Sequence, residues 1–151
     1  MTNALPLHDI KILDATHVIA GPFATYQLAL MVADVTRVER VMGSEFVRTR
    51  GGTKEMKKRR LGASFLSQNA CKRSIALNLK DLGAVRIFTT LAGEADVVVE
   101  NFRPGVVKRL GISYDELIKV NPPLSRMRRR NSRSLGFSRN EGTCRHGDAI
   151  R

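Results

Sequence analysis

Ile10–Leu13 is a short apolar run closed by Asp14, and Ala95–Glu100 is a longer one in which Asp96 leads into three valines. Short β-branched runs bounded by polar residues predict buried strands. Val35–Glu39 and Ile75–Leu79 predict two more, the first interrupted by Thr36 and Arg37. Between these runs the period changes. Phe23–Ala33 is apolar and rich in helix formers, with Gly21-Pro22 placed for a helix start. Asp81 opens a second helix, in which Leu82, Val85, Ile87, Phe88 and Leu91 fall mostly on one face, ending near Gly93. Pro104–Leu110 predicts a short helix stopped by Gly111. Ser113 and Glu116 have the spacing of a capping box for a helix Tyr114–Val120, which Asn121-Pro122-Pro123 ends. Arg48–Arg60 is polar and charged and reads as an exposed loop. Strand and helix alternate, so the chain is expected to be an α/β domain with a mostly parallel sheet.

After Leu124 the alternation stops. The next element should be a strand, but Ser125–Arg151 has almost no apolar periodicity and contains a run of three arginines, so no strand is expected there. Such a stretch buries too little apolar surface to offset the entropy of ordering it. It reads as a segment translated out of frame or, alternatively, as a basic tail for nucleic acid or an acidic partner. Two regions are therefore expected: an α/β body, residues 1–124, and the basic stretch 125–151.

Charge changes the picture less than its size suggests. Half of the net charge of +12 falls in residues 125–151, leaving a mildly basic body that suits an anionic small molecule. Phe137 is the only aromatic residue of the basic stretch, which argues against a nucleic-acid partner that reads stacked bases. A membrane partner is not expected, because no apolar run approaches the roughly 20 residues of a membrane span. The N-terminus has no basic region followed by an apolar one, so no secretory signal is expected. Cys71 and Cys144 form neither a ligand cluster nor a disulfide framework and read as thiols of a reducing cytoplasm. His8, His17 and His146 have no partner pattern, so neither a triad nor a metal site is expected. The strongest binding signal is the polar end of the Ala95–Glu100 strand. Asn101, Phe102 and Arg103 follow it, where open α/β sheets bind ligands.

Six stretches, Leu5–Asp14, His17–Thr25, Ala33–Arg40, Asn69–Lys80, Ala95–Gly105 and Leu110–Pro122, resemble in order and spacing the class III CoA-transferases, the CaiB/BaiF family. The resemblance covers about residues 5–124. It implies a Rossmann-like large domain, of which this chain carries an incomplete fragment, and an interlocked homodimer for the full-length family. It also implies transfer of coenzyme A from an acyl-CoA to a carboxylic acid through an aspartyl intermediate, with no metal. The family's nucleophilic Asp falls past Arg151 at the usual spacing, and the surroundings of Asp148 do not match it. No catalytic residue is therefore assigned, and this chain alone is expected to be inactive. The alternatives are a coenzyme A-binding module without catalysis or a small basic nucleic-acid-binding protein.

By resemblance, the coenzyme A contacts are Val18, Ile19 and Ala20 after the first strand and Arg40 after the second. Leu77 and Lys80 belong to the stretch that touches the nucleotide. Asn101, Phe102 and Arg103 face the pantetheine arm, and Arg109 a phosphate. The Lys57–Arg60 charge run reads as a solvated face or as a further phosphate contact. One departure bears on stability. Met31-Val32-Ala33 stands where the family commonly has Leu-Gly-Ala, which puts a β-branched residue in a glycine's place.

Overall fold

The computed structural model describes residues 5–41 and 45–128. Five strands, β1 (Lys11–Ala15), β2 (Asp34–Glu39), β3 (Arg73–Ala76), β4 (Val97–Glu100) and β5 (Ser125–Arg128), form one sheet in the order β3-β2-β1-β4-β5. Every pairing is parallel. The order reverses at β1, whose neighbours β2 and β4 lead away in opposite directions. The loops leaving β1 and β4 therefore diverge and open a crevice at their carboxyl ends.

Both faces of the sheet are covered. Leu13, Ala15, Val38 and Val98 alternate onto one face and pack with Phe88 and Ala92 of α4 (Leu82–Gly93), Val107 of α5 (Val106–Arg109) and Leu117 of α6 (Tyr114–Leu117). Ile12, Val35 and Val99 point the other way and pack with Ala29 of α1 (Ala20–Leu30) and with Ala33. Asp14 and Arg37 share the α1 face and are cross-strand neighbours in the β1–β2 register.

Several local expectations change. A strand does follow Leu124: Ser125–Arg128 pairs with β4, and Glu100 accepts hydrogen bonds or ion pairs from Arg126 at 2.9 Å and Arg128 at 3.3 Å. Charge pairing to one buried carboxylate thus accompanies a strand that lacks apolar periodicity. The rest of the basic stretch, with Phe137, Cys144, His146 and Asp148, lies outside the described residues. Arg48–Arg60 is not only loop. A 3-10 turn, Phe46–Thr49, buries Val47, and α2 (Lys54–Lys58) follows, with no buried residue of its own. A further helix not expected from the sequence, α3 (Ala63–Asn69), buries Phe65 and Gln68. In α4 the buried face runs through Phe88 and Ala92, and Leu82 and Ile87 are exposed, because a 100° step per residue rotates them off that stripe. Asp81 caps α4 through the Gly83 and Ala84 N–H groups, whereas the Ser113 side chain makes no cap bond.

Helices α1 and α5 end alike. Val32 N–H bonds to Ala29 C=O and Ala33 N–H to Leu28 C=O; Gly111 N–H bonds to Lys108 C=O and Ile112 N–H to Val107 C=O. This is the Schellman pattern, which needs a left-handed residue just past the helix. At α5 that residue is Gly111, φ 70°; at α1 it is Val32, φ 73°. The β-branched residue in the glycine position is therefore strained, at a cost of about 1–2 kcal/mol.

Candidate functional site

The carboxyl ends of the strands carry two sets of charges. The inner set lies under the loop after β1. Asp14 is fully buried and accepts from the Thr16 N–H at 3.0 Å, the Thr16 hydroxyl at 2.5 Å, the Thr25 hydroxyl at 2.6 Å and the Lys72 ammonium at 3.0 Å. Lys72 also donates to Pro22 C=O and the Thr25 hydroxyl, both at 2.8 Å, tying the start of α1 to the end of α3. Burial alone would raise the Asp14 pKa; Lys72, the two threonines and Arg37 outweigh it and hold the carboxyl below its ordinary range. Arg37, 1% exposed, lies 3.6 Å from Asp14 and pairs with Glu45. Glu39 takes a two-pronged grip from Arg48, at 2.7 and 2.6 Å, and a hydrogen bond from Ser74 at 2.6 Å. Burial pushes the Glu39 pKa up, but the hydrogen bonds from Arg48 and Ser74 bring it below its ordinary value. Each of these buried charges faces an opposite charge, as burial requires.

The outer set is open. Arg40, Lys80, Arg103 and Arg109 are exposed, and their side chains have neither a hydrogen bond nor an ion pair among the described residues. Arg40 and Arg109 border two adjoining cavities. The first, about 470 Å³, has Val38, Leu77 and Phe102 as apolar lining, with Lys80 at its side. The second, about 890 Å³, is lined by Val18, Ile19, Ala20, Asn101, Phe102 and Arg103. All ten residues singled out in the sequence thus meet around one cleft. β3 ends at Ala76 rather than Leu79, which leaves residues 77–80 outside the sheet and in the wall of the cleft. Leu77 also belongs to the core, at 6% exposure.

His17 sits between the two sets and lines both cavities. Its ring meets Phe102 edge-on, with centroids 5.5 Å apart. Burial first, then Arg40 and Arg37, push its pKa down to about 4, so the imidazole is neutral near pH 7. Asn101 is more occupied than a ligand contact would be: its side-chain oxygen accepts the His17 N–H at 2.9 Å and its amide donates to His17 C=O at 2.8 Å.

Arg37, Glu45, Lys72 and His17 are site residues that the sequence pattern does not mark out. A signal was present for Arg37, a charge in the middle of an apolar strand, which is rare unless the charge is paired. Lys72 carried no signal of its own, because its buried partners Asp14, Pro22 and Thr25 lie 47 to 58 residues away in the chain. Among the described residues there is no cluster of His, Cys, Asp or Glu that could hold a metal, and no helix is long and apolar enough to cross a membrane.

Comparison with known proteins identifies the family to which the fold belongs. The profile of CoA-transferase family III matches residues 7–127. The succinyl-CoA:glutarate CoA-transferase of Homo sapiens is 40% identical over 126 residues, which is 81% of this chain and 27% of that protein. The acetyl-CoA:oxalate CoA-transferase of Acetobacter aceti is 41% identical over 119 residues, 79% of this chain and 30% of its own length. Among solved structures, a CAIB/BAIF family protein from Brucella suis superposes with a TM-score of 0.72 at 29% identity, over 82% of this chain and 32% of that one. The chain thus spans about 27–32% of the length of the relatives it matches.

Proposed function

The chain belongs to CoA-transferase family III, the CaiB/BaiF family, and from that premise we propose that residues 5–124 provide the coenzyme A-binding part of an enzyme that moves coenzyme A from an acyl-CoA to a carboxylic acid. The observation that carries the reading is the outer cation set. Arg40, Lys80 and Arg109 border a cavity with an apolar lining at the switch point of the sheet. A pyrophosphate and a 3′-phosphate call for such cations, and a pantetheine arm calls for an apolar groove. Val18, Ile19, Ala20, Asn101, Phe102 and Arg103 line the adjoining cavity, where the arm and its thiol would extend.

The same geometry argues that this chain alone binds without turning over. Acyl transfer through an aspartyl intermediate needs an unpaired carboxylate beside the thioester. Asp14, Glu39 and Glu100 at the strand ends, and Glu45 at the start of the 3-10 turn, are each engaged by basic side chains of the protein. Resemblance to the family supports placing the nucleophile of the transfer, the acid pocket and the homodimer contacts in a part of the enzyme outside residues 5–124.

Calorimetric titration of the full chain with coenzyme A tests the reading. Binding is expected, weaker for dephospho-coenzyme A and weaker again for pantetheine, with no exchange of coenzyme A between succinyl-CoA and glutarate or oxalate. Folded protein that gives no heat with coenzyme A would reject it.

A further inference from the structure

Three consecutive residues of the loop after β1 are held by side chains from three parts of the fold. Asp14 holds Thr16, Asn101 holds both peptide groups of His17, and the Glu45 carboxylate accepts the Val18 N–H at 2.8 Å. The first two pins belong to β1 and to the residue following β4. The third comes from outside the sheet, because Glu45 opens the 3-10 turn beyond β2.

Two observations separate Glu45 from an ordinary surface acid. Its side chain is 5% exposed and faces the buried guanidinium of Arg37, so it is anchored rather than free to swing. The residue it holds, Val18, has φ 73° and is 42% exposed. Unlike Val32, Val18 does not follow the carboxyl end of a helix, where the Schellman pattern imposes that conformation. A β-branched residue stays in the left-handed region only where its surroundings over-determine it. The Glu45 Oε1 that takes the Val18 N–H also lies 3.3 Å from His17 Nδ1, so one carboxylate oxygen sets two neighbouring residues that line the larger cavity.

We propose that Glu45 is a positioning residue for the cleft: anchored on Arg37, it fixes the backbone at His17 and Val18 in the shape that receives the ligand. The identity of that ligand rests on the coenzyme A reading; the clasp itself does not. A purely stabilising Glu45 would neutralise Arg37 and leave the loop to the other two pins.

Amide hydrogen exchange on the full chain, paired with calorimetry against coenzyme A, separates these roles. Glu45→Ala is expected to speed exchange at Val18 at least tenfold, with Leu13 and Val98 unchanged, and to weaken coenzyme A binding about tenfold through lost preorganisation. Glu45→Gln keeps an acceptor but no charge and is expected to restore Val18 protection to within about threefold of the parent. Unchanged exchange at Val18 in Glu45→Ala would overturn the proposal. So would equal acceleration at Val18, Leu13 and Val98, which marks a general stabiliser. A Val32→Gly background relieves the strain at the end of α1 and keeps Glu45→Ala measurable; failure to fold even there also counts against a local role. If the parent chain binds no coenzyme A but Val18 responds as expected, the ligand assignment fails and the positioning role stands.

Discussion

Arg37 and Arg40 are three residues apart at the end of one strand and have opposite surroundings. Arg37 is 1% exposed and enclosed by Asp14 and Glu45, whereas Arg40 is exposed, with no partner among the described residues. The same division runs through the other cations: Lys72 is enclosed, and Lys80 and Arg109 are open. Burial decides which charge is available to a ligand. A buried cation must be neutralised by the protein, so its removal is felt as lost stability. An exposed cation at the mouth of a cavity contributes little to the fold, so its removal is felt as lost affinity.

The largest expected effect falls on the inner set. Lys72→Met strips Asp14 of its nearest cation and should cost about 3–5 kcal/mol in urea unfolding. A loss below about 1 kcal/mol would mean that the enclosed charges are interchangeable with solvent, and the contrast would fail.

Next comes His17, on the border between the sets. Its folded pKa of about 4 lies below the roughly 6.5 of an unfolded chain. The unfolded state therefore binds more protons between these values. Stability is complete above about pH 6.5 and falls as pH drops toward 4, by up to about 3 kcal/mol. Asp14 and Glu39, held below their ordinary values, add losses only at lower pH, as pH falls through their folded pKa values. His17→Gln should flatten the slope between pH 6.5 and 4, and thermal melts across that range would reveal a slope that persists.

The outer set should respond in affinity alone. Arg40→Ala and Arg109→Ala are each expected to weaken coenzyme A binding about tenfold, about 1.4 kcal/mol, with stability within about 0.5 kcal/mol of the parent. A drop in melting temperature with affinity unchanged would move either residue to the inner set.

The smallest effect separates strain that is held from strain that is merely tolerated. Val18 and Val32 share φ 73°. Only Val18 is pinned by a buried acid, so Val32→Gly should raise stability by about 1 kcal/mol by chemical denaturation, since glycine enters the left-handed region without penalty. No gain would mean that the end of α1 accommodates its valine without strain.

The first four strands in chain order, the helices after β1 and after β3, and Asn101, Phe102 and Arg103 at the end of β4 were legible because each is written locally. A β-branched run, an Asp at a helix start or a basic residue after a strand needs no distant partner to be recognised. Resemblance added what the local pattern could not, the other seven cleft residues and the chemistry of the ligand expected there. Tertiary structure alone decided which charges are spoken for. Lys72 meets Asp14 from 58 residues away, Asn101 meets His17 from 84, and Glu45 meets Val18 from 27. The same is true of β5: Ser125–Arg128 has no strand pattern of its own and is ordered by the open edge of β4 and by Glu100. A side chain's periodicity along the chain reports which face it joins. Whether a charge on that face is buried with a partner or left open to a ligand depends on the segment the fold lays against it.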